Sequence, residues 1–292
     1  MFKGSIVALV TPFAGEQVDE KTYAKLVDWQ IANGTSGIVP CGTTGESPTL
    51  SPEEHNRVVE MCIAATGKRV PVIAGTGSNS TDEAVHMTKH AAKAGADGVL
   101  VVTPYYNKPT NKGVYLHFKA VADSVKIPVI LYNIAGRTGK NIEPDVMAKL
   151  ARDCKNIIAV KEASGNLEQM KKIKELCPKD FILLSGDDGL ILPVMALGGT
   201  GVISVAANII PKDTAALVNA VAKKDMKAAE AINAKFQPLV SALFIETNPI
   251  PVKTAAELMG LCNGALRLPM CTMEDANLTK LKTALKNYGL LK

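Results

Sequence analysis

Eight short apolar runs, each followed by a helical pattern, restrict this chain more than any other feature. They are Ser5–Val10, Gly37–Cys41, Val70–Gly75, Gly98–Thr103, Pro128–Tyr132, Ile157–Lys161, Phe181–Ser185 and Gly201–Val205. Runs this apolar, rich in β-branched residues and bounded by glycine, proline and polar residues, read as strands buried on both faces. They recur at spacings of roughly 20 to 35 residues, enough for a strand and a returning helix. Ser51-Pro52-Glu53-Glu54 starts one such helix, with serine as N-cap and proline at the first position, and Ser80-Thr81-Asp82-Glu83 starts another. Further helices are expected over 21–33, 112–124, 143–153, 166–176, 188–197 and 212–223. Strand–helix alternation repeated eight times over about 225 residues favours a closed (β/α)8 TIM barrel over an open doubly wound sheet.

From Met226 onward the strand signal stops. Residues 226–244, 250–261 and 274–288 read as helices, joined through Asn248-Pro249-Ile250-Pro251 and Arg267-Leu268-Pro269. The expected division is a catalytic barrel over 1–225 and a small C-terminal helical appendage over 226–292. Pro40 inside the second run is at odds with a strand, because it has no N–H for a ladder.

With 292 residues, 47% of them hydrophobic and 21% charged, the chain has the composition of a soluble globular protein with a sizeable core. The net charge of +5 is spread out with no basic block, so nucleic-acid binding is not indicated, while an anionic substrate suits it. The six cysteines are far apart and form no C-x-x-C pair. That argues against a disulfide framework or a zinc site and suits a reducing cytoplasm. Ser5–Val10 is too short for a signal sequence, and no apolar stretch is long enough for a membrane span.

In barrels of this kind chemistry collects at the carboxyl ends of the strands. Those ends hold Thr11, Gly42-Thr43-Thr44-Gly45-Glu46, Thr103-Pro104-Tyr105-Tyr106-Asn107, Tyr132-Asn133, Lys161-Glu162, Gly186-Asp187-Asp188 and Ser204. Hydroxyl groups thus surround one lysine. Lys161 could simply end its strand and point into water. A lysine in water is neutral only about one part in a thousand near pH 7, but burial favours the neutral amine, the nucleophile of Schiff-base chemistry. Schiff-base formation also needs proton shuttling, which the hydroxyls could supply.

Other patterns carry plainer readings. Asp187-Asp188 could hold a divalent metal, but one of them capping the helix near 188 is the simpler account. His86 and His90 have metal-pair spacing, yet they share a helix face with Glu83 and Lys93 and read as a solvated face. Gly75-Thr76-Gly77-Ser78 is an incomplete dinucleotide-loop pattern with no acidic residue ending the next strand. Gly198-Gly199-Thr200-Gly201 precedes the eighth run, on the wrong side for a phosphate cup.

Three stretches in order, Gly42-Thr43-Thr44-Gly45-Glu46, Tyr132-Asn133-Ile134-Ala135-Gly136-Arg137-Thr138-Gly139 and Ile158-Ala159-Val160-Lys161-Glu162, resemble the signatures of the pyruvate-dependent class I aldolases. The resemblance runs from Met1-Phe2-Lys3-Gly4-Ser5 to Asn248-Pro249-Ile250-Pro251-Val252-Lys253 and is closest to the members that condense pyruvate with aspartate semialdehyde in lysine/diaminopimelate biosynthesis. It implies a (β/α)8 barrel with a C-terminal helical part. It also implies that Lys161 forms an imine with pyruvate, that Tyr132 relays protons, and that Thr43 links Tyr132 to Tyr106 reaching in from a neighbouring subunit. Thr44, Gly186, Ile203 and Arg137 would bind substrate, with Thr44 holding the pyruvate carboxylate and Arg137 the carboxylate of the semialdehyde. The reaction implied needs no metal or organic cofactor, since the imine is the electron sink, and the assembly implied is a homotetramer built as a dimer of dimers. The alternative is a sister aldolase acting on sugar acids or N-acetylneuraminate.

One departure is Ala135 where the family usually has proline, which predicts a less rigid Arg137 loop. Lysine-sensitive members also suggest an effector site for L-lysine at Ser47, His55, Asn79, Glu83 and Tyr105. If the segment there is extended, Tyr105 and Tyr106 point to opposite sides, with Tyr106 toward the active site. A histidine found in some sensitive members is Pro52 here, which predicts weak inhibition.

Overall fold

A strand that is apolar on both faces needs a packed interior on one side and a covering layer on the other. The computed structural model, which describes residues 2–292, meets that demand with a closed barrel inside a ring of helices. Met1, the first residue of the expected barrel segment, lies outside the described residues.

The strands are β1 (Gly4–Ala8), β2 (Gly37–Val39), β3 (Ile73–Gly75), β4 (Gly98–Val102), β5 (Val129–Asn133), β6 (Ile157–Glu162), β7 (Ile182–Ser185) and β8 (Gly201–Ser204). All eight are parallel neighbours in the order β2-β1-β8-β7-β6-β5-β4-β3, and an Ile38–Val72 bridge closes β2 onto β3. Each falls within or beside its expected run. β2 stops at Val39, so Pro40 lies outside the ladder, where its carbonyl still accepts the Gly75 N–H at 2.9 Å. That resolves the proline in the second run.

Alternation along the strands sorts side chains between two environments. Ile6, Ala8, Val39, Ile73, Leu100, Ile130, Tyr132, Ala159, Leu184 and Ile203 fill the barrel interior. Val7, Ile38, Val99, Val101, Leu131, Val160, Leu183 and Val202 face the helices. This period of two decides which strand-end residues can reach the barrel mouth.

The helices are α1 (Glu20–Ala32), α2 (Pro52–Thr66), α3 (Thr81–Ala94), α4 (Asn111–Asp123), α5 (Pro144–Asp153), α6 (Leu167–Leu176), α7 (Ile191–Ala196) and α8 (Pro211–Ala222). Ser51 and Glu54 form a reciprocal capping box at α2, and Ser80 caps α3. The single helix expected over 188–197 is instead a 3-10 turn, Asp188–Leu190, followed by α7. A small hairpin pairing Phe13–Ala14 with Gln17–Val18, and a short helix at Ala135–Thr138, had no recognisable sequence pattern.

Beyond α8 the chain forms α9 (Met226–Leu243), α10 (Ile250–Leu258) and α11 (Asp275–Tyr288). α9 packs against α8 and α11, and Phe236, Leu243, Val252, Leu281 and Leu285 are fully buried in the same apolar layer that covers the barrel. Among the described residues no helix is long and apolar enough to cross a membrane.

Candidate active site

Lys161 and Tyr132 are direct register partners on β6 and β5. Lys161 lies two residues after the interior-facing Ala159, and Tyr132 two after Ile130, so strand parity turns both side chains inward at the carboxyl end of the barrel. Each is only 5% exposed. The Lys161 Nζ sits 4.2 Å from the centre of the Tyr132 ring, a contact that attracts a cation to the ring face and equally brings an amine beside a phenol. Among the described residues no carboxylate pairs with Lys161. Gly186 follows β7 beside them. A Cβ there would come within 3.1 Å of Lys161 Cε and 2.6 Å of Ala163 Cβ, so only glycine leaves the lysine its room. Ile203 is fully buried in the barrel interior below.

Tyr132 opens into a cavity of about 550 Å³, shared with Gly42, Thr43, Ile134 and Arg137 on one side and Ser47, His55, Glu83 and Tyr105 on the other. No hydrogen bond joins Thr43 to Tyr132 among the described residues. Thr44 is buried and does not line this cavity; its Oγ1 accepts from Asn248 Nδ2 at 3.1 Å, leaving its own hydroxyl proton to donate. Arg137 is exposed at the rim and donates from Nη2 to the Asn248 carbonyl at 3.0 Å.

The tyrosine pair divides differently from the extended-chain expectation. Tyr106 has a left-handed backbone, φ 72°, which breaks strict alternation. Tyr105 lines the cavity of its own chain, whereas Tyr106 is 88% exposed and points out of it. Of the other rim residues, the Glu83 carboxylate accepts the Ser78 hydroxyl at 2.6 Å. His55 is buried with Nε2 on the Gly75 carbonyl at 2.9 Å and Nδ1 unpartnered, and burial lowers its pKa. Asn79 does not line the cavity, although Ser78 before it does; the Asn79 carbonyl accepts from Asn107 Nδ2.

Several strand-end groups do not converge on Lys161. Thr11 donates its hydroxyl to the Gly45 carbonyl at 2.7 Å, Thr103 to the Tyr132 carbonyl at 3.0 Å, and Ser204 to Asp188 at 2.5 Å. Their residues point between barrel and helices, so their hydroxyls brace backbone rather than serve chemistry. Glu162 and Asn133, one residue past Lys161 and Tyr132, also face outward. The Glu162 carboxylate accepts from Asn133 Nδ2, Gln169 Nε2 and the Ser164 N–H.

Asp187 caps the 3-10 turn through the Gly189 N–H, while Asp188 is buried, accepting from Ser204 and from the Val205 and Ala206 N–H groups. Burial raises the pKa of Asp188 against the pull of those donors. The two carboxylates therefore serve the backbone. His90 Nε2 lies 3.1 Å from a Glu60 carboxylate oxygen, and His86 is an exposed residue on the cavity rim. Gly75 and Gly77 are required by close packing: a Cβ at either would lie 2.2 Å from the Cys41 carbonyl or 2.3 Å from the Val102 nitrogen.

Sequence reasoning passed over what holds the Thr43-Thr44 turn. The Glu46 carboxylate accepts from Lys253 Nζ at 2.5 Å and from the Arg267 N–H at 3.1 Å. Burial pulls the pKa of Lys253 down while Glu46 opposes that pull. Neither partner signals itself locally, since they stand about 200 residues apart; only the polar residues of Asn248-Pro249-Ile250-Pro251-Val252-Lys253 in an otherwise apolar segment hinted at it.

Comparison with known proteins agrees with this geometry. The model of the dihydrodipicolinate synthetase family matches residues 1–288. A relative from Endomicrobium trichonymphae, named 4-hydroxy-tetrahydrodipicolinate synthase, is 58% identical, covering all of both chains. The crystal structure of dihydrodipicolinate synthase from Aquifex aeolicus superposes with a TM-score of 0.98 at 50% identity, over 99% of each chain. That of the Cyanidioschyzon merolae enzyme, determined with lysine bound, does so with a TM-score of 0.96 at 43% identity, over 99% of each chain.

Proposed function

The chain belongs to the dihydrodipicolinate synthetase family, and on that premise we infer how its site performs the family's reaction. It is an enzyme, a lyase with 4-hydroxy-tetrahydrodipicolinate synthase activity in lysine/diaminopimelate biosynthesis. The substrates we propose are pyruvate and L-aspartate 4-semialdehyde. The observation that carries the reading is the register pairing of Lys161 with Tyr132 at the barrel mouth, with the amine against the ring of the tyrosine and the tyrosine lining a cavity large enough for two small substrates.

The Lys161 amine attacks the pyruvate ketone. The carbinolamine loses water to give a protonated imine, and Tyr132 is the acid–base group closest to that nitrogen. Loss of a methyl proton gives the enamine, whose carbon attacks the semialdehyde carbonyl. The substrate's own amine then displaces Lys161, so ring closure regenerates the free lysine. Thr44, with a hydroxyl proton left to donate, and Gly186, which leaves space beside Lys161, are assigned to pyruvate, with Ile203 forming the apolar floor. Arg137 is assigned to the carboxylate of the semialdehyde, for which a forked guanidinium is the suitable partner.

Thr43 and Tyr106 complete the proton relay in this reading. Tyr106 is too exposed to act in its own chain, so it is assigned to the cavity of a second copy, within a homotetramer built as a dimer of dimers. L-lysine is proposed as an effector at Ser47, His55, Asn79, Glu83 and Tyr105. The lysine bound to the Cyanidioschyzon merolae enzyme supports that assignment. The names of the relatives weigh against a sugar-acid or N-acetylneuraminate aldolase. A turnover assay with pyruvate and a panel of aldehydes tests the specificity: aspartate semialdehyde should be used far faster than sugar aldehydes, and equal or reversed preference would contradict the reading.

A further inference from the structure

Glu46 closes the turn that carries Thr43 and Thr44, and does so under constraint. Its φ of 55° is left-handed, a conformation unfavourable for a non-glycine residue that persists only where its surroundings impose it. Within the turn the Glu46 N–H donates to the Thr43 carbonyl at 3.1 Å, the Gly45 N–H to Gly42 at 3.1 Å, and Thr11 holds the Gly45 carbonyl. Those bonds are local. The remaining grip comes from the far end of the chain.

Two residues of one segment supply most of it, beside the Arg267 N–H that also donates to the Glu46 carboxylate at 3.1 Å. Lys253, on α10, donates to the Glu46 carboxylate, with the two side chains 0% and 2% exposed. Its ammonium also lies 4.1 Å over the Phe13 ring. Asn248, just before α10, donates to Thr44 Oγ1, and its carbonyl receives Arg137. A buried ion pair is weak evidence for stability, because apolar or neutral replacements of similar shape often fold equally well. What the pair does here is fix a geometry: it holds Glu46, and through the backbone the turn that carries Thr43 and Thr44, in one place.

We propose that Lys253 is a positioning residue for the 2-oxo-acid substrate, acting through its ion pair with Glu46 to aim the Thr43-Thr44 turn at the carboxylate of pyruvate. The inference rests on the assignment of pyruvate to Lys161 and Thr44 above. It makes the C-terminal helical segment part of the substrate site, although the segment contributes no group that touches the reacting atoms.

The test uses the full-length enzyme with Lys253→Met, Glu46→Gln and the double variant. Three quantities are read: the pyruvate concentration that half-saturates borohydride-trapped adduct, the KM for each substrate, and the melting temperature. Misplacement of a positioning group by an ångström can cost on the order of 10²-fold. We therefore expect half-saturation by pyruvate to rise about 10- to 100-fold in both single variants, with the KM for the semialdehyde changed less than about twofold.

The double variant carries no buried charge and should recover much of the lost melting temperature, while its pyruvate half-saturation stays high. Recovery of both together would mean that the pair only stabilises the fold, and would overturn the proposal. If Lys253→Met does not fold, Glu46→Gln, which keeps the acceptor for Arg267, carries the same comparison. Normal pyruvate saturation in folded single variants overturns the inference alone. Failure of the wild type to form any pyruvate adduct overturns the assignment of Lys161 and the inference with it.

Discussion

The floor of the cavity and its rim are built from the same kinds of residue under opposite constraints. On the floor, Lys161 and Tyr132 are strand residues whose direction is dictated by a parallel ladder and whose surroundings, including Gly186, leave little freedom. On the rim, Tyr105 belongs to the loop between β4 and α4, Ser47 to a short 3-10 turn, and Glu83 and His55 to the first turns of α3 and α2, while Tyr106 beside Tyr105 points outward. Two phenols make the contrast concrete: Tyr132 is 5% exposed and Tyr106 is 88% exposed. A group that must meet one substrate atom repeatedly belongs on a rigid strand, whereas groups meant for a second copy or an effector belong where they can be met from outside.

If that division is right, damage to the floor should cost turnover, and damage to the effector residues of the rim should cost control. The largest effect is expected for Tyr132→Phe, which removes a proton donor but little volume. Its kcat should fall by roughly 10²- to 10⁴-fold, with an unchanged melting temperature. A loss below about threefold would remove Tyr132 from the relay and break the comparison at its stronger end.

The rim is sharpened by titrating L-lysine against the wild type and Glu83→Ala. A hydrogen bond to a charged group is worth about 1.5–3 kcal/mol, or roughly 10- to 150-fold in affinity, so the variant should need that much more lysine for half-inhibition. Its uninhibited turnover should stay close to normal. Inhibition of both proteins at the same lysine concentration would remove Glu83 from the effector site.

A smaller effect lies behind the rim, where His117 on α4 bonds the hydroxyl of Thr81 at the start of α3. Burial pushes its pKa down to about 4 from an ordinary 6.5. The unfolded chain therefore takes up a proton that the folded chain refuses between those two values, so stability rises with pH across that window and falls as pH drops from about 6.5 toward 4. At 1.36 kcal/mol per pH unit the loss can reach about 3 kcal/mol. His117→Leu should flatten that part of the stability–pH curve measured by urea unfolding. An unchanged slope would assign the acid sensitivity to other groups.

The same division explains what could be read from the sequence. All eight strands lie within or beside their apolar runs, because burial on both faces writes itself into composition, and parity then orients Lys161 and Tyr132 without further information. The loops were not legible in that way. Left-handed backbone at Cys41, Glu46 and Tyr106 leaves no periodic trace, so strict alternation had no means of saying which of the two tyrosines lines the cavity of its own chain. Hydroxyls at strand ends looked convergent in one dimension, yet Thr11, Thr103 and Ser204 have the opposite parity from Lys161 and face the helix layer. Long-range pairs such as Glu46 with Lys253 were illegible for a different reason: each is an ordinary charged residue until the fold buries it against the other. Removing one member of such a pair is expected to cost about 3–5 kcal/mol, a consequence no local pattern announces.

The division of labour depends on one covalent bond, and one measurement addresses it directly. Incubating the enzyme with pyruvate and sodium borohydride, then digesting it and mapping the modified peptide by mass spectrometry, should locate a reduced pyruvate adduct on Lys161. Activity should be lost in proportion to labelling. A label on any other lysine, or full activity after stoichiometric reduction, would contradict the account.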